Sequence, residues 1–386
     1  MLRDEKIMKI ITNKETFLKS IITADRVISS KNLNTVLSNC LFNVKENQIE
    51  IISTDNEITI TTRLDATSEG KVSFTANSKT LTGILKKFPN DEIVLNINDK
   101  MVLDIDTQSK EIKGHYSLVG TTAEDYPDIP TFSDKNFIEI EQNILKEILK
   151  KVMYAASNDN IKPVFNGIFI NLENGNEITA VATDSRRLSM ITRKLENENS
   201  FSEERNFIIP LKTVNEILRL LESTGRCSFA FNNSLCFFKI GNTEIISRVI
   251  DGQFPNYKHV IPSDYIMNVV VEKTKLVDAV RRIMVLTKEP ANKIVCKFNS
   301  DSLILEANTP DKGTGEEELP IENNSKDSIN IGINAQFLLD CLEEIDSFSI
   351  KCDIVGQMSP VKFVPEQDDS YVSVVMPIQI KSDNID

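Results

Sequence analysis

Histidine is nearly absent: only His115 and His259 occur in 386 residues. Neither has a second His or a Cys at ligand spacing, so zinc-hydrolase centres and histidine-based triads lack their parts. No GxxxxGK[ST], GxGxxG, HExxH or GxSxG segment occurs, which excludes the common phosphate loops, zincins and nucleophile elbows. The six cysteines (Cys40, Cys227, Cys236, Cys296, Cys341, Cys352) form no CxxC pair. They read as reduced, buried thiols, and no metal or cofactor is expected. Residues 1–18 carry charges throughout and hold no apolar run of seven or more. Neither a signal peptide nor a membrane anchor is therefore expected, and the chain reads as cytoplasmic.

What is present suits a multidomain folded protein. The length predicts two or three domains, and 40% apolar with 26% charged residues supplies ordinary cores. The net charge of −13 argues at first sight against a nucleic-acid partner. The acidity is uneven, however. Lys+Arg against Asp+Glu stands at 16 to 19 over residues 1–130, 16 to 16 over 131–262 and 12 to 22 over 263–386. A local field depends on where the basic residues stand, which the whole-chain charge hides.

Self-similarity recurs at a domain-sized period of about 125–133 residues. Each third opens with an amphipathic helix pattern, over 14–30, 143–157 and 273–288. A second helix is expected within 74–88, 207–221 and 329–345, aligned on Leu81, Val214 and Leu338. Alternating stretches such as QIEIIS, ITITTRL and YVSVVM, bounded by Asn, Asp and Gly, predict antiparallel strands. A related turn follows a strand in each third: STDNEITI, ATDSRRLS and ANTPDKGT. Pro-bearing stretches at 123–132 and 251–262 suit crossings between domains, giving domains 1–130, 131–262 and 263–386 of α+β class.

FNGIFI (165–170), ATDSRRLS (182–189), VIDGQFPNY (249–257) and VVMP (374–377) stand in this order on the threefold repeat. With them the chain resembles the β subunit of bacterial DNA polymerase III, the sliding clamps, over nearly its whole length from about Met8. Residues 1–7 read as an extra leader or upstream start. The resemblance implies three similar domains, each with antiparallel sheets and two helices, closing as a head-to-tail homodimer into a six-domain ring. It implies a non-enzymatic processivity factor for a replicative polymerase, with double-stranded DNA as a sequence-independent partner.

A ring held on DNA by topology needs only a weak, positive, sequence-blind lining. The candidate cations are Arg26, Lys86, Lys87, Lys146, Lys150, Lys151, Lys212, Arg219, Lys275, Arg281 and Arg282 on the helices. Lys146 and Lys150 stand one turn apart, and Lys31 matches a family position that touches DNA. The last helix departs from this pattern with Asp340, Glu343 and Glu344.

The resemblance also implies a groove for short extended peptides of polymerase, clamp loader and repair proteins. Its matching positions are Phe165, Thr183, Ser185, Arg186, Arg187, Leu188, Pro255, His259, Val260, Val374, Met376 and Pro377. Leu188, Val260, Val374 and Met376 would form an adaptable apolar floor, with Thr183 and Arg187 orienting a peptide backbone. Ser185 and Arg186 replace the family's usual Gly-His, and Gln379 a common Arg. Ring closure is expected to use Tyr116 and Leu118 against Val285 and Leu286. Two other readings stand beside the clamp: a metal-dependent nuclease using Asp104 and Asp106, and a peptide-binding scaffold with no DNA role.

Overall fold

The computed structural model describes residues 7–28, 35–88, 92–106, 114–132, 137–159, 161–173, 176–195 and 204–380. Among them are six α-helices: α1 (Lys14–Asp25), α2 (Ser78–Leu85), α3 (Gln142–Met153), α4 (Leu211–Leu220), α5 (Lys273–Met284) and α6 (Ala335–Glu343). They pack pairwise, α1 on α2, α3 on α4 and α5 on α6, one pair in each third of the chain. The paired strands are antiparallel, so the class is α+β.

Local chemistry explains the helix starts. Asn13, Asn77 and Asn334 lie in extended backbone just before α1, α2 and α6, and their side chains accept from Thr16, Thr80 and Gln336 N–H groups. Such caps satisfy donors that the first turn leaves unpaired. The second helix of each third is shorter than the sequence expectation, starting at an Asn cap in the first and third repeats and after Pro210, with no side-chain cap, in the second. Its first residues form strands Val72–Ala76, Arg205–Pro210 and Ile329–Asn334, and the helix begins only after Asn77, Pro210 or Asn334. Of the positions the sequence offers as the apolar stripe of α3, Ile148, Leu149 and Val152 are buried, whereas Ile144 is half-buried and its neighbour Leu145 takes the core position.

The chain forms two compact units. One comprises residues 1–139 and 225–249. Its five-stranded sheet runs Thr67–Ser68, Met8–Asn13, Glu92–Ile97, Val102–Asp106, His115–Val119, the last being an edge. A nine-stranded sheet joins strands of the first and second thirds, Ile58–Asp65 pairing with Thr243–Arg248. Phe17, Phe42 and Phe74 fill the core under α1, with the Phe42 and Phe74 rings stacked at 5.1 Å. Burial of each such ring contributes about 1.5–3 kcal/mol.

The other unit comprises residues 140–224 and 250–386. Its nine-stranded sheet joins the second and third thirds where Arg187–Lys194 pairs with Tyr371–Val375, Leu188 opposite Val374. A four-stranded sheet, Gly313–Pro320, Ser302–Thr309, Lys293–Phe298, Ile329–Asn334, completes it. All six cysteines are free and buried, as expected for inert thiols. Burial pushes Cys236, Cys296 and Cys341 up to about 12.

Candidate functional site

The ATDSRRLS segment makes a tight turn between strands Glu177–Thr183 and Arg187–Lys194. Asp184 Oδ1 accepts from the backbone N–H of Arg186 at 2.8 Å and of Arg187 at 2.9 Å. Thr183 Oγ1 donates to the Arg187 carbonyl at 2.7 Å and accepts from Ser185 N–H at 3.2 Å. The same bonds recur in the first third. Asp55 Oδ1 accepts from Glu57 and Ile58 N–H groups at 3.0 and 2.9 Å, and Thr54 Oγ1 donates to the Ile58 carbonyl at 3.1 Å. The left-handed residues also correspond, Ser185 at φ 75° and Asn56 at φ 73°. A Thr-Asp pair thus writes this turn twice, through side-chain bonds that replace ladder bonds.

In the second copy the turn borders a cavity of about 210 Å³ lined by ten residues. Eight were expected: Phe165, Thr183, Ser185, Arg187, Leu188, Pro255, Val260 and Met376. They come from stretches far apart in sequence, brought together by the strand pairing of Leu188 with Val374 and by the bond from Met376 N–H to the Arg186 carbonyl at 2.8 Å. Phe165 meets Phe254 edge-on at 6.3 Å, and Phe254 stacks on Phe169 at 4.8 Å, so the lining ring is backed by an aromatic cluster. In FNGIFI the glycine is required: a Cβ on Gly167 would run into the Ile209 carbonyl oxygen.

Four expected groove residues do not line the cavity. Val374 is 1% exposed, opposite Leu188 on the neighbouring strand; Pro377 is half-buried; Arg186 and His259 are exposed beside the cavity. The polar roles also change. Thr183 spends its hydroxyl proton on the turn. Arg187 donates from Nε to Asp184 at 3.1 Å and from Nη1 to Asp340 on α6, with its guanidinium 4.5 Å from the Phe337 ring and 5.5 Å from the Tyr154 ring. It is therefore first a strut between the turn and α6, fixed by a planar fork that lysine cannot reproduce.

The expected helix-face cations divide sharply. Lys86, Lys87 and Lys150 are exposed and have no ion-pair partner among the described residues. Arg219, Lys275, Arg281 and Arg282 are exposed but pair with Glu216, Glu272, Glu343 and Glu317 at 2.8, 2.6, 2.9 and 2.7 Å. The Arg282 fork holds the Glu317 carboxyl below its ordinary range. Lys212 is also exposed. Three expectations are corrected. Lys151 is 7% exposed, its Nζ bound to the Glu344 carbonyl at 2.7 Å and to Asp346 at 2.8 Å, because its side chain runs toward the end of α6 instead of solvent. Lys146 donates to the Leu221 carbonyl at 2.9 Å, capping α4, so it does not form a free stripe with Lys150. Arg26 is half-buried with an unpartnered Nη1 in the interior. Lys31 lies outside the described residues.

Comparison with known proteins decides among the three readings. Descriptions of the DNA polymerase III beta subunit match in order: the N-terminal domain over 8–130, the central domain over 139–256 and the C-terminal domain over 258–379. The chain belongs to the DNA polymerase III beta subunit family. Beta sliding clamps of Staphylococcus epidermidis and Staphylococcus aureus are each 26% identical over 385 residues, covering 97% of this chain and all of theirs. The Pseudomonas aeruginosa sliding clamp bound to griselimycin superimposes with a TM-score of 0.90 at 25% identity, covering 97% of this chain and all of that one. The Thermotoga maritima beta subunit gives 0.87 at 25% identity, with the same coverage.

The work of this family is that of a sliding clamp in DNA replication, a processivity factor and not a catalyst. Nothing favours the nuclease or the DNA-free scaffold. Asp106 is engaged by His115 Nδ1 at 2.7 Å and by Asn96 Nδ2 at 3.2 Å, and Asp104 accepts from Ser117. No cluster of three or more metal-ligating side chains is found among the described residues. No helix among them is long and apolar enough to cross a membrane.

Within the clamp fold, the acidic last helix has a local explanation. Asp340 faces Arg187 and Glu343 faces Arg281, while burial raises the Glu344 carboxyl. The expected closure contacts are mixed. Tyr116 is 42% exposed on an edge strand and Val285 is 70% exposed after α5, whereas Leu286 is half-buried over Gly315. Leu118 is corrected: at 6% exposure it belongs to the core cluster with Leu103 and Ile105, while Tyr116, two residues earlier near the strand's start, stays exposed. Its neighbour Val119, 82% exposed, was the residue that alternation left outside. Sequence reading also missed Lys162 and Tyr257 in the cavity wall. Tyr257 lay within the quoted VIDGQFPNY run; Lys162 sits just before Pro163 and carried no motif of its own.

Proposed function

We propose that this clamp acts as a head-to-tail homodimer of domains 1–130, 131–262 and 263–386, closed around duplex DNA in the cytoplasm. Its helix pairs face the phosphates, and the cavity beside the ATDSRRLS turn receives extended peptides of polymerase, clamp loader and repair proteins. The observation that carries this reading is the helix pair repeated in each third, with exposed lysines that have no ion-pair partner among the described residues on two of the pairs: Lys86 and Lys87 at the end of α2, and Lys150 on α3. Topological retention needs no tight contact, and a few unpaired cations give the weak, sequence-blind attraction that permits sliding. Ring closure is assigned to Tyr116 and Val119 of one subunit and Val285 and Leu286 of the other.

The test measures solution mass together with retention on nicked circular DNA before and after linearisation. A dimer retained on the circle and lost from the linear form is the expected result. A monomer at every workable concentration, or equal retention on both DNAs, would refute the ring.

A further inference from the structure

The cavity rim carries positive charge that an apolar peptide anchor does not use. Lys162 lines the cavity, with its ammonium 5.2 Å above the Phe165 ring, and has no carboxylate partner among the described residues. Arg186 stands exposed on the turn between two lining residues, Ser185 and Arg187. Its backbone is fixed on both sides, N–H to Asp184 and carbonyl to Met376 N–H, while its guanidinium is left without a partner among the described residues. The nearby carboxylates of Asp184 and Asp340 are both engaged by Arg187, and Asp340 also accepts from Gln336 Nε2 at 2.6 Å, so their two charges are only partly offset by the one guanidinium. Lys258, exposed next to the lining residue Tyr257, pairs with Glu173 at 3.3 Å. Two cations with no ion-pair partner among the described residues, beside an apolar floor in a chain with net charge −13, are a local inversion of sign.

We infer that Lys162 and Arg186 select peptides that carry carboxylates beside their apolar anchors, so that the groove of this clamp prefers acidic segments over uncharged ones of the same shape. The inference rests on the groove reading above and adds a partner chemistry to it. Apolar contacts with Leu188, Val260 and Met376 supply affinity, and the rim sets the choice. Exposed ion pairs are weak singly, so two of them predict discrimination of about 3- to 10-fold at low salt. Screening should shrink it as the Debye length falls from about 10 Å at 0.1 M toward about 3 Å at 1 M.

The test uses the full-length protein and two fluorescein-labelled ten-residue peptides with identical apolar anchors, one bearing two Asp residues and the other two Asn residues. Fluorescence anisotropy gives the affinity ratio for the native protein, for Lys162→Gln/Arg186→Gln, and for Arg186→Glu, with circular dichroism confirming that each variant is folded. The expected result is tighter binding of the Asp peptide, a ratio falling with salt, a ratio near one in the double variant and a reversed preference in Arg186→Glu. Equal binding of the two peptides by the native protein, or a ratio unchanged in the double variant, overturns the inference while leaving the groove in place. Binding of neither peptide overturns the groove reading and this inference together.

Discussion

Lys151 Nζ lies 2.8 Å from Asp346 Oδ2 and 2.7 Å from the Glu344 carbonyl, tying α3 of the second repeat to the end of α6 in the third. The same lysine's ammonium sits 4.8 Å over the Tyr371 ring, and its backbone carbonyl accepts from Ser189 Oγ at 2.9 Å and Tyr371 Oη at 3.1 Å. A residue that sequence reading places on a DNA-facing helix surface is a structural rivet. The Asp346 carboxyl, drawn below its ordinary range chiefly by the Lys151 hydrogen bond, reports the same contact.

Replacing Lys151 by Met keeps the aliphatic stem but leaves a helix-end carbonyl and a carboxylate without their donor. Stability should fall by about 1–3 kcal/mol, read as a lower urea midpoint. The salt dependence of DNA binding should not move. A change in salt slope with no loss of stability would restore Lys151 to the DNA-facing set.

Lys150, its neighbour, predicts the opposite pattern. It is exposed and has no ion-pair partner among the described residues. Each lysine that neutralises a phosphate contributes about 0.9 to the slope of log K against log salt. Lys150→Gln and Lys86→Gln should each lower the slope for open-circle DNA by up to about that amount, with melting temperature unchanged. Arg281→Gln should do less, because Glu343 already offsets its charge. Equal slopes for all three variants and the native protein would remove these helices from the DNA path.

The duplicated turn supplies a stability test internal to the chain. Ser185 and Asn56 hold the same left-handed backbone in equivalent bonding frames. Asn tolerates that region better than Ser, because its short amide bonds locally with the backbone. Ser185→Asn should therefore stabilise the protein by a few tenths up to about 1 kcal/mol. A thermal unfolding midpoint that falls instead would show that the hydroxyl has a native partner worth more than the relief of strain.

Much of this was legible in the sequence because it is local or periodic. The Thr-Asp turn recurs as a visible string, and buried positions on α3 recur at three and four residues. Eight cavity residues followed from the family resemblance that the ordered motifs carry, not from local pattern alone. What could not be read was direction at the scale of one side chain. Lys146, Lys150 and Lys151 are close in sequence and equal in charge, yet one caps α4, one is exposed and one is buried against α6. Those fates are set by Leu221 and Asp346, which lie 75 and 195 residues away. Leu118 failed for a simpler reason: alternation separates two faces of a strand without saying which one a sheet's core covers, and here the core takes Leu118 and leaves Val119 exposed.

Groove residues divide in the same manner between floor and frame. Leu188 is 2% exposed and belongs to the core cluster with Phe169 and Val374, whereas Met376 is half-buried at the cavity wall. Leu188→Ala should cost about 2–5 kcal/mol of stability along with any loss of peptide affinity. Met376→Ala should weaken peptide binding with a much smaller shift in melting temperature. Affinity lost in Leu188→Ala at undiminished stability would contradict its burial.

His115 provides the pH test, aided by there being only two histidines to observe. Its Nδ1 meets Asp106 at 2.7 Å on the edge strand, and Asp104 lies 3.7 Å from Nε2. The Asp106 hydrogen bond is the main cause of an imidazole pKa raised above the ordinary histidine value. With the folded value above the unfolded one, protonated His115 favours the folded state fully below about pH 6.5, and the contribution disappears as pH rises through the folded value. The imidazole is exposed, so the effect belongs to the local titration more than to global stability. In an NMR titration the His115 resonance, assigned by its loss in His115→Gln, should have its midpoint above the ordinary histidine range. Asp106→Asn should bring that midpoint down; an unchanged midpoint would mean that the Asp106 contact does not persist in solution.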